Sequence, residues 1–216
     1  MSARLLAIGD PTAIPSRAAD HDESPLIGIA RSLSRDQEVF AEGTAFEFIY
    51  KVISGAVRTF RLLADGRRQI ISFYLPGDLF GFEANSFHAT SAEAVCETVI
   101  VSARRSSLIE DEEQRSRLSR YALRELLRAQ DLLLTLGRRS ALERVASFLI
   151  DFADRTEAAD ALALPMSRQD IADYLGLTIE TVSRTLTEMQ ARGLVHIQNA
   201  RQIQLTRRAV LTDLCE

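Results

Sequence analysis

Glu180, Ser183, Arg184 and Thr187 are spaced so that a helix through them would hold all four within about 100° of arc, on one solvent-facing side. That is chemistry for reading a duplex. A carboxylate accepts from cytosine N4, and a guanidinium one turn on donates two bonds to guanine O6 and N7. The competing possibility is an exposed i, i+4 ion pair, worth only a few tenths of a kcal/mol. On its own, that pair leaves the punctuation around the segment unexplained.

The punctuation describes two helices joined by a very tight turn, Ser167 to Leu175 and Thr178 to Gln190. Ser167, with Asp170 three residues on, predicts a capped start, and Gly176 supplies the positive φ of the turn. Ala172 is small where the two helices must cross. Thr178 predicts the second cap, and Val182, Leu186 and Met189, four and three apart, make a core-facing stripe behind the polar front. Past Gly193-Leu194, the apolar residues Val195, Ile197, Ile203 and Leu205 flank a turn at Asn199-Ala200, which predicts a wing hairpin. Residues 142–205 together resemble a winged helix-turn-helix, whose second helix enters a major groove and whose hairpin lies near phosphates.

Upstream, residues 1–25 mix Pro11, Pro15 and Pro25 with small polar residues and predict an irregular arm. Residues 26–106 hold short apolar runs between turn signals and predict an antiparallel β domain. Its clearest hairpin runs Val57 to Leu63, turns at Ala64-Asp65-Gly66 and returns from Gln69 to Leu75, and a further strand spans Glu97 to Val101. Residues 107–137 predict a long helix in which Ala122, Leu126, Ala129, Leu133 and Leu136 recur at heptad spacing, a seam for a second copy of the chain. The same stripe could instead pack on the β domain. Residues 138–216 form the final segment, opening with an apolar helix from Leu142 to Phe152 and a polar connection from Asp154 to Asp160.

Composition removes other classes of function. The 216 residues are 46% apolar with a net charge of −4, which argues against wholesale disorder. No run nears the roughly 18 to 20 apolar residues of a membrane helix, and no signal-type core opens the chain, so a soluble, cytoplasmic protein is expected. Two cysteines and three scattered histidines give neither metal ligand spacing nor a nucleophilic triad, so neither enzyme, cofactor nor metal is expected. Bulk charge does not advertise nucleic acid, but residues 166–208 hold six Arg against four acids, a local basic excess.

Two further sets of residues carry a family resemblance. In the C-terminal part they are Arg168-Gln169-Asp170-Ile171 and Leu175-Gly176-Leu177-Thr178-Ile179-Glu180-Thr181-Val182-Ser183-Arg184. In the N-terminal part they are Ser54-Gly55-Ala56-Val57, Asp65 to Ile70 and Leu75-Pro76-Gly77-Asp78-Leu79-Phe80-Gly81-Phe82-Glu83. Over residues 40–205 the chain resembles the CRP/FNR transcription regulators, and most closely the FNR and FixK branches. The resemblance implies an α+β fold: an N-terminal antiparallel β-roll like that of cyclic-nucleotide-binding proteins, a long dimerisation helix, and a C-terminal winged helix-turn-helix. It also implies a homodimer on palindromic double-stranded DNA that activates transcription by touching RNA polymerase. Glu180 and Arg184 match the family's base-reading pair, and Ser183 matches the serine of the FNR branch, which implies TTGA-type half-sites. Ile179 stands where cyclic-AMP relatives carry arginine, which makes it either a thymine-methyl contact or a buried residue. Ser167, Arg168, Gln169, Thr178 and Thr181 match positions that hold phosphates, and each is also a credible cap or solvated polar residue.

The sensor half departs from the nucleotide-binding pattern. Where an Arg-Ser pair holds the cyclic phosphate, this chain reads His88-Ala89-Thr90-Ser91-Ala92, and no arginine stands between Arg68 and Arg104. An activator without an effector is expected, with a small-molecule- or haem-dependent sensor-regulator of the same family as the alternative; haem would use His88, which is otherwise a solvated loop histidine. Cys96 is expected to be a small buried hydrophobe, and Cys215 to lie at a frayed end, where it is a candidate for thiol redox control. Exposed loops at Asp65 to Arg68 and Arg155 to Ala161 are candidates for the polymerase contact.

Overall fold

Alternating buried and exposed residues build the N-terminal half as two facing four-stranded antiparallel sheets. The computed structural model describes residues 28–106, 112–138, 140–156, 158 and 160–215, so the expected arm at 1–25 lies outside the described residues. One sheet runs β1 (Ile29–Leu33), β8 (Thr98–Arg104), β3 (Phe48–Ser54), β6 (Leu79–Phe80). The other runs β2 (Glu38–Phe40), β7 (Ser91–Ala94), β4 (Val57–Leu62), β5 (Arg68–Tyr74). The expected hairpin is present, with Val57 opposite Tyr74, Leu62 opposite Arg68 and Gly66 at φ 82° in the turn. The strand expected from Glu97 starts one residue later and runs to Arg104, because its partner Phe48 extends the ladder that far.

Helix α1 (Glu112–Arg138) then runs 27 residues, about 40 Å at 1.5 Å per residue. Tyr121 and Thr135 are its buried positions, whereas Leu126 and Leu133 are 55% and 69% exposed and Ala122 and Ala129 are exposed too. The stripe therefore does not pack on the β domain. Only Leu136, near the helix end, is half-buried. Helix α2 (Ala141–Thr156) buries Val145, Ala146, Leu149, Phe152 and Ala153 on one face and runs past Asp154, where a polar connection was expected. A three-stranded sheet follows in the order β10 (Val195–Ile197), β11 (Gln202–Leu205), β9 (Ala161–Ala163). Its first strand was not expected, although Leu162 and Leu164, each 2% exposed, alternate with exposed or half-buried Ala161 and Ala163. Helix α3 (Arg168–Leu175) packs on strand β5 and on α4 (Ile179–Ala191), α4 packs on α2, and a short α5 (Arg208–Asp213) on α2 closes the chain.

The two halves share apolar packing. Ile70, Phe73 and Val95 of the roll lie in one cluster with Phe148, Leu175 and Leu186 of the C-terminal half. The Phe73 ring sits 5.2 Å from Tyr174 and 6.3 Å from Phe148, a geometry aromatic pairs favour. Cys215 is held in this half rather than frayed, since its thiol donates to Leu211 O at 3.1 Å and accepts from Ser147 Oγ at 3.3 Å. Cys96 is half-buried against the shared core.

Candidate nucleic-acid interface

The first helix of the pair is fixed at both ends. Ser167 Oγ accepts from the Asp170 backbone N–H at 3.1 Å, while Asp170 accepts from the Ser167 backbone N–H at 2.9 Å and from its hydroxyl at 2.7 Å. Both orphan donors are thereby satisfied. At the other end Gly176 takes φ 62°, ψ 38° and its N–H reaches Ala172 O, a left-handed stop that lets the chain reverse at once into α4. Ala172 is fully buried, as a close helix crossing requires.

Thr178 caps α4 by accepting from Thr181 N at 3.2 Å. Val182, Leu186 and Met189 are at most 1% exposed, so the back of α4 is wholly committed to the core. The front then has one direction to face. Glu180 and Arg184 are exposed, and Ser183 is half-buried beside them. The Glu180 carboxyl is held below its usual range by its own backbone N–H, then by the Thr178 hydroxyl, and by Arg184 one turn away. It is thus a committed anion, able to accept hydrogen bonds at neutral pH. Ile179 is 37% exposed, which answers the alternative that it is buried.

The remaining predicted polar residues fare unevenly. The Ser167 hydroxyl is engaged by its cap, the Gln169 amide donates to Asp173 Oδ1 at 2.6 Å, and the hydroxyls of Thr178 and Thr181 face each other at 3.1 Å. Arg168 is half-buried, and its Nε is enclosed without a hydrogen-bond partner. Thr187 Oγ1 turns back onto Ser183 O at 3.0 Å. The hairpin is tied to the helix where Gln190 Oε1 accepts from Ile197 N at 3.0 Å, and Asn199 Oδ1 organises its tip by accepting from the backbones of Arg201 and Gln202.

Sequence reasoning missed the side chains that seat this unit on the roll. Arg68 was assigned to an exposed loop, but its Nη2 lies 2.6 Å from Asp170 Oδ1 and its Nε donates to Asp173 Oδ2 at 2.9 Å. Arg155, likewise expected on a loop, lies in the last turn of α2 and donates to Asp78 Oδ2 at 2.8 Å. Neither arginine is available as a loop contact, which leaves Asp65 and Arg67 as the exposed part of the first loop. One signal was legible: Asp78 is a carboxylate in a turn flanked by apolar runs, and it is 3% exposed.

Inside the roll, Phe40, Tyr50, Phe80 and His88 stack on one another. His88 is 3% exposed and not solvated, because Phe40 lies flat against it at 3.7 Å. Burial lowers its pKa, opposed by Glu83, whose carboxylate sits 3.4 Å from Nδ1. A cyclic phosphate would find no guanidinium on the segment from Gly81 to Ala92, and Glu83 is already engaged by Ala89 N at 2.9 Å. The residues there do not fit that ligand.

Comparison with known proteins places both halves. Residues 143–214 match the Crp-like helix-turn-helix domain, and residues 30–110 match the cyclic nucleotide-binding domain. The chain is 48% identical to the nitrogen fixation regulation protein FixK of Rhizobium meliloti over 180 residues, 83% of each chain. The chain belongs to the CRP/FNR family. Within it the relatives named FixK indicate the FNR/FixK branch, and the chain is also 40% identical to the transcriptional activatory protein AadR of Rhodopseudomonas palustris, covering 83% of this chain and 78% of that one. Among CRP/FNR structures, FixK2 from Bradyrhizobium japonicum superposes with a TM-score of 0.84 at 44% identity, covering 88% of this chain and 98% of that one. The expected α+β architecture is thereby established, as is membership of a family of transcription regulators and not of enzymes. No helix among the described residues is long and apolar enough to cross a membrane.

Proposed function

We propose that this chain is a transcriptional activator of the FixK type that binds a TTGA-type palindrome as a homodimer in the cytoplasm and contacts RNA polymerase there. Glu180, Ser183 and Arg184 read base edges, Ile179 meets a thymine methyl, and Ser167, Arg168, Gln169, Thr178 and Thr181 lie along the phosphates. The carrying observation is the division of α4 into a fully buried back and a front on which an ionised Glu180 and an exposed Arg184 stand one turn apart. Residues 26–106 serve as a β-roll of effector type, 107–137 as the dimerisation helix and 138–216 as the DNA-binding domain, with 1–25 as an arm. The exposed stripe of Ala122, Leu126, Ala129 and Leu133, continued by Leu136, supports pairing of two long helices.

Activity without a small-molecule effector is supported by the roll interior, which is filled with stacked aromatic rings and offers a phosphate no arginine from the Gly81 to Ala92 segment. A haem-dependent sensor has weaker support, because His88 is 3% exposed and enclosed by Phe40 on its face and Phe46 beside it, so iron could reach a ring nitrogen only by opening this packing. The deciding experiment is selection of bound sequences from random DNA by purified, ligand-free protein. Enrichment of an inverted TTGA repeat is expected, with affinity falling steeply as salt rises. Enrichment that needs an added effector overturns the ligand-free mechanism, and no enrichment overturns the DNA-binding function itself.

A further inference from the structure

The roll touches the helix-turn-helix through two separate ionic contacts with an apolar patch between them. At the first, Arg68 on β5 spans Asp170 and Asp173 of α3, at 2.6 Å and 2.8 Å from its Nη2. Gln69 reinforces it by donating from Nε2 to Asp173 O at 2.7 Å. The carboxylates are well shielded, with Asp170 6% and Asp173 13% exposed at the side chain, so this pair is screened far less than a surface ion pair. Arg58, itself 6% exposed at the side chain, stands behind Asp170 at 3.4 Å and is anchored to the roll by Asp36 and Glu93 at 2.8 and 2.7 Å.

At the second contact, Asp78 in the turn before β6 holds Arg155 at the end of α2. Arg155 also donates to Phe73 O at 2.6 Å, so its guanidinium joins two points of the roll to the helix that underlies α3 and α4. Burial alone would raise the Asp78 pKa, but Arg155 and Arg128 outweigh it and keep the carboxyl ionised. A single contact would leave a pivot. Two contacts on either side of the Phe73–Tyr174 packing remove it, and the tight turn at Gly176 passes the constraint from α3 to α4.

We propose that Arg68 and Asp78 are positioning residues for DNA recognition: they clamp the helix-turn-helix to the β-roll at two points and so set the angle at which α4 is presented. The proposal rests on the palindrome-binding function above. In a two-fold pair, the presentation angle of each recognition helix decides which separation of half-sites both can reach at once. The clamp is therefore a spacing ruler. It touches no base, and its loss leaves the sequence read within each half-site unchanged.

The test measures affinity for the selected palindrome and for the same half-sites with one base pair inserted between them. The unaltered protein is expected to favour the first, and Arg68→Glu, which faces Asp170 and Asp173 with like charge, to reduce that ratio roughly tenfold, as disruption of a coupled charge pair can. The exchange R68E/D173R restores opposite charge at one of the two pairs, Asp170 being unchanged, and is expected to recover part of the ratio. Circular dichroism checks that the variants fold. If R68E does not fold, Arg68→Ala replaces it under the same readout. A ratio unchanged by R68E or R68A, in a folded protein that shows the preference when unaltered, overturns the clamp alone. Indifference to spacing in the unaltered protein overturns the palindromic mode of binding and the clamp with it.

Discussion

His88 lies flat on Phe40 inside the roll, ring centroids 3.7 Å apart and planes 11° from parallel. Burial depresses the histidine pKa below its ordinary 6.5, with Glu83 opposing. The folded chain thus binds this proton less readily than the unfolded chain. Its contribution to stability is fully present above pH 6.5 and is lost as pH falls from there through the folded pKa. The thermal midpoint is expected to drop between about pH 7 and pH 5.5 in the parent, and to change less over that window in His88→Phe, which keeps the stack without the titrating group. Melts followed by circular dichroism at matched ionic strength decide it. Equal slopes for the two proteins would remove His88 as the cause.

The same residue shows where sequence reasoning runs out. His88 occupies a stretch with no periodic pattern, so nothing local distinguishes a solvated loop from one folded inward onto Phe40, a contact made across 48 positions of the chain. Arg68 and Arg155 were unreadable for the same reason. Their partners Asp170 and Asp78 lie 102 and 77 positions away, and a charged side chain beside a turn gives no sign that its partner comes from another domain. By contrast, Ser167, Gly176, Thr178 and the Val182, Leu186, Met189 stripe act within one or two helical turns, and the structure has them capping, reversing and burying as their spacing predicts. Strand β9 falls between these cases. Its alternation was visible in Ala161 to Leu164, but three residues are too few to separate from a connection without the β11 edge that receives them.

Gly176 sits at φ 62°, and an added Cβ would meet only Arg144 Nη1, at an ordinary 3.8 Å. The penalty for Gly176→Ala is therefore backbone strain and not a clash, about 1 kcal/mol. For a chain of this size that lowers the melting midpoint by roughly 2 to 4 °C. Ser167→Ala is expected to cost a similar amount, about 1 kcal/mol, by opening the capping box and orphaning a backbone donor. Urea titration of both variants measures these losses, and a loss several-fold larger for Gly176→Ala would show that the turn cannot adjust around Arg144.

Asp78 is 3% exposed, and Arg155 and Arg128 hold its carboxyl below the ordinary 3.8 despite burial. Its folded pKa is the depressed one, so the stability it contributes is present above 3.8 and declines as pH falls below that value. Asp170, lowered against its own burial by the Ser167 cap and by Arg58 and Arg68, behaves the same way. Contact between the halves is expected to hold from neutral pH down to about 4 and to loosen in more acid solution. Hydrogen exchange at the Gly176 turn and in α3, followed against pH, reports it directly.

Arg184 is exposed while the stripe behind it is closed, so Arg184→Ala removes a donor pair without opening the core. Stability is expected to stay within about 0.5 kcal/mol of the parent. Discrimination at one base pair of each half-site is expected to fall by about 1 to 3 kcal/mol. The control is Arg201→Ala in the hairpin tip, which should weaken all sequences alike if it serves phosphates. Competition binding against single-base variants of the selected site separates the two. A uniform loss from Arg184→Ala would move that side chain from the bases to the backbone.

Leu126 and Leu133 stand two turns apart on α1, 55% and 69% exposed, with Ala129 between them, while Tyr121 and Thr135 are buried against the protein. Because the leucines contribute little to the packing of a single chain, Leu126→Glu and Leu133→Glu leave the monomer fold nearly untouched. Placed in a paired seam, each puts two carboxylates against one another across the axis, where apolar knobs should interlock. The variants are therefore expected to sediment as monomers where the parent sediments as a dimer, and to lose affinity for a two-half-site palindrome far more than for a single half-site. Dimers that persist in Leu126→Glu with unchanged affinity would mean that the two copies meet elsewhere and that the exposed stripe has another partner.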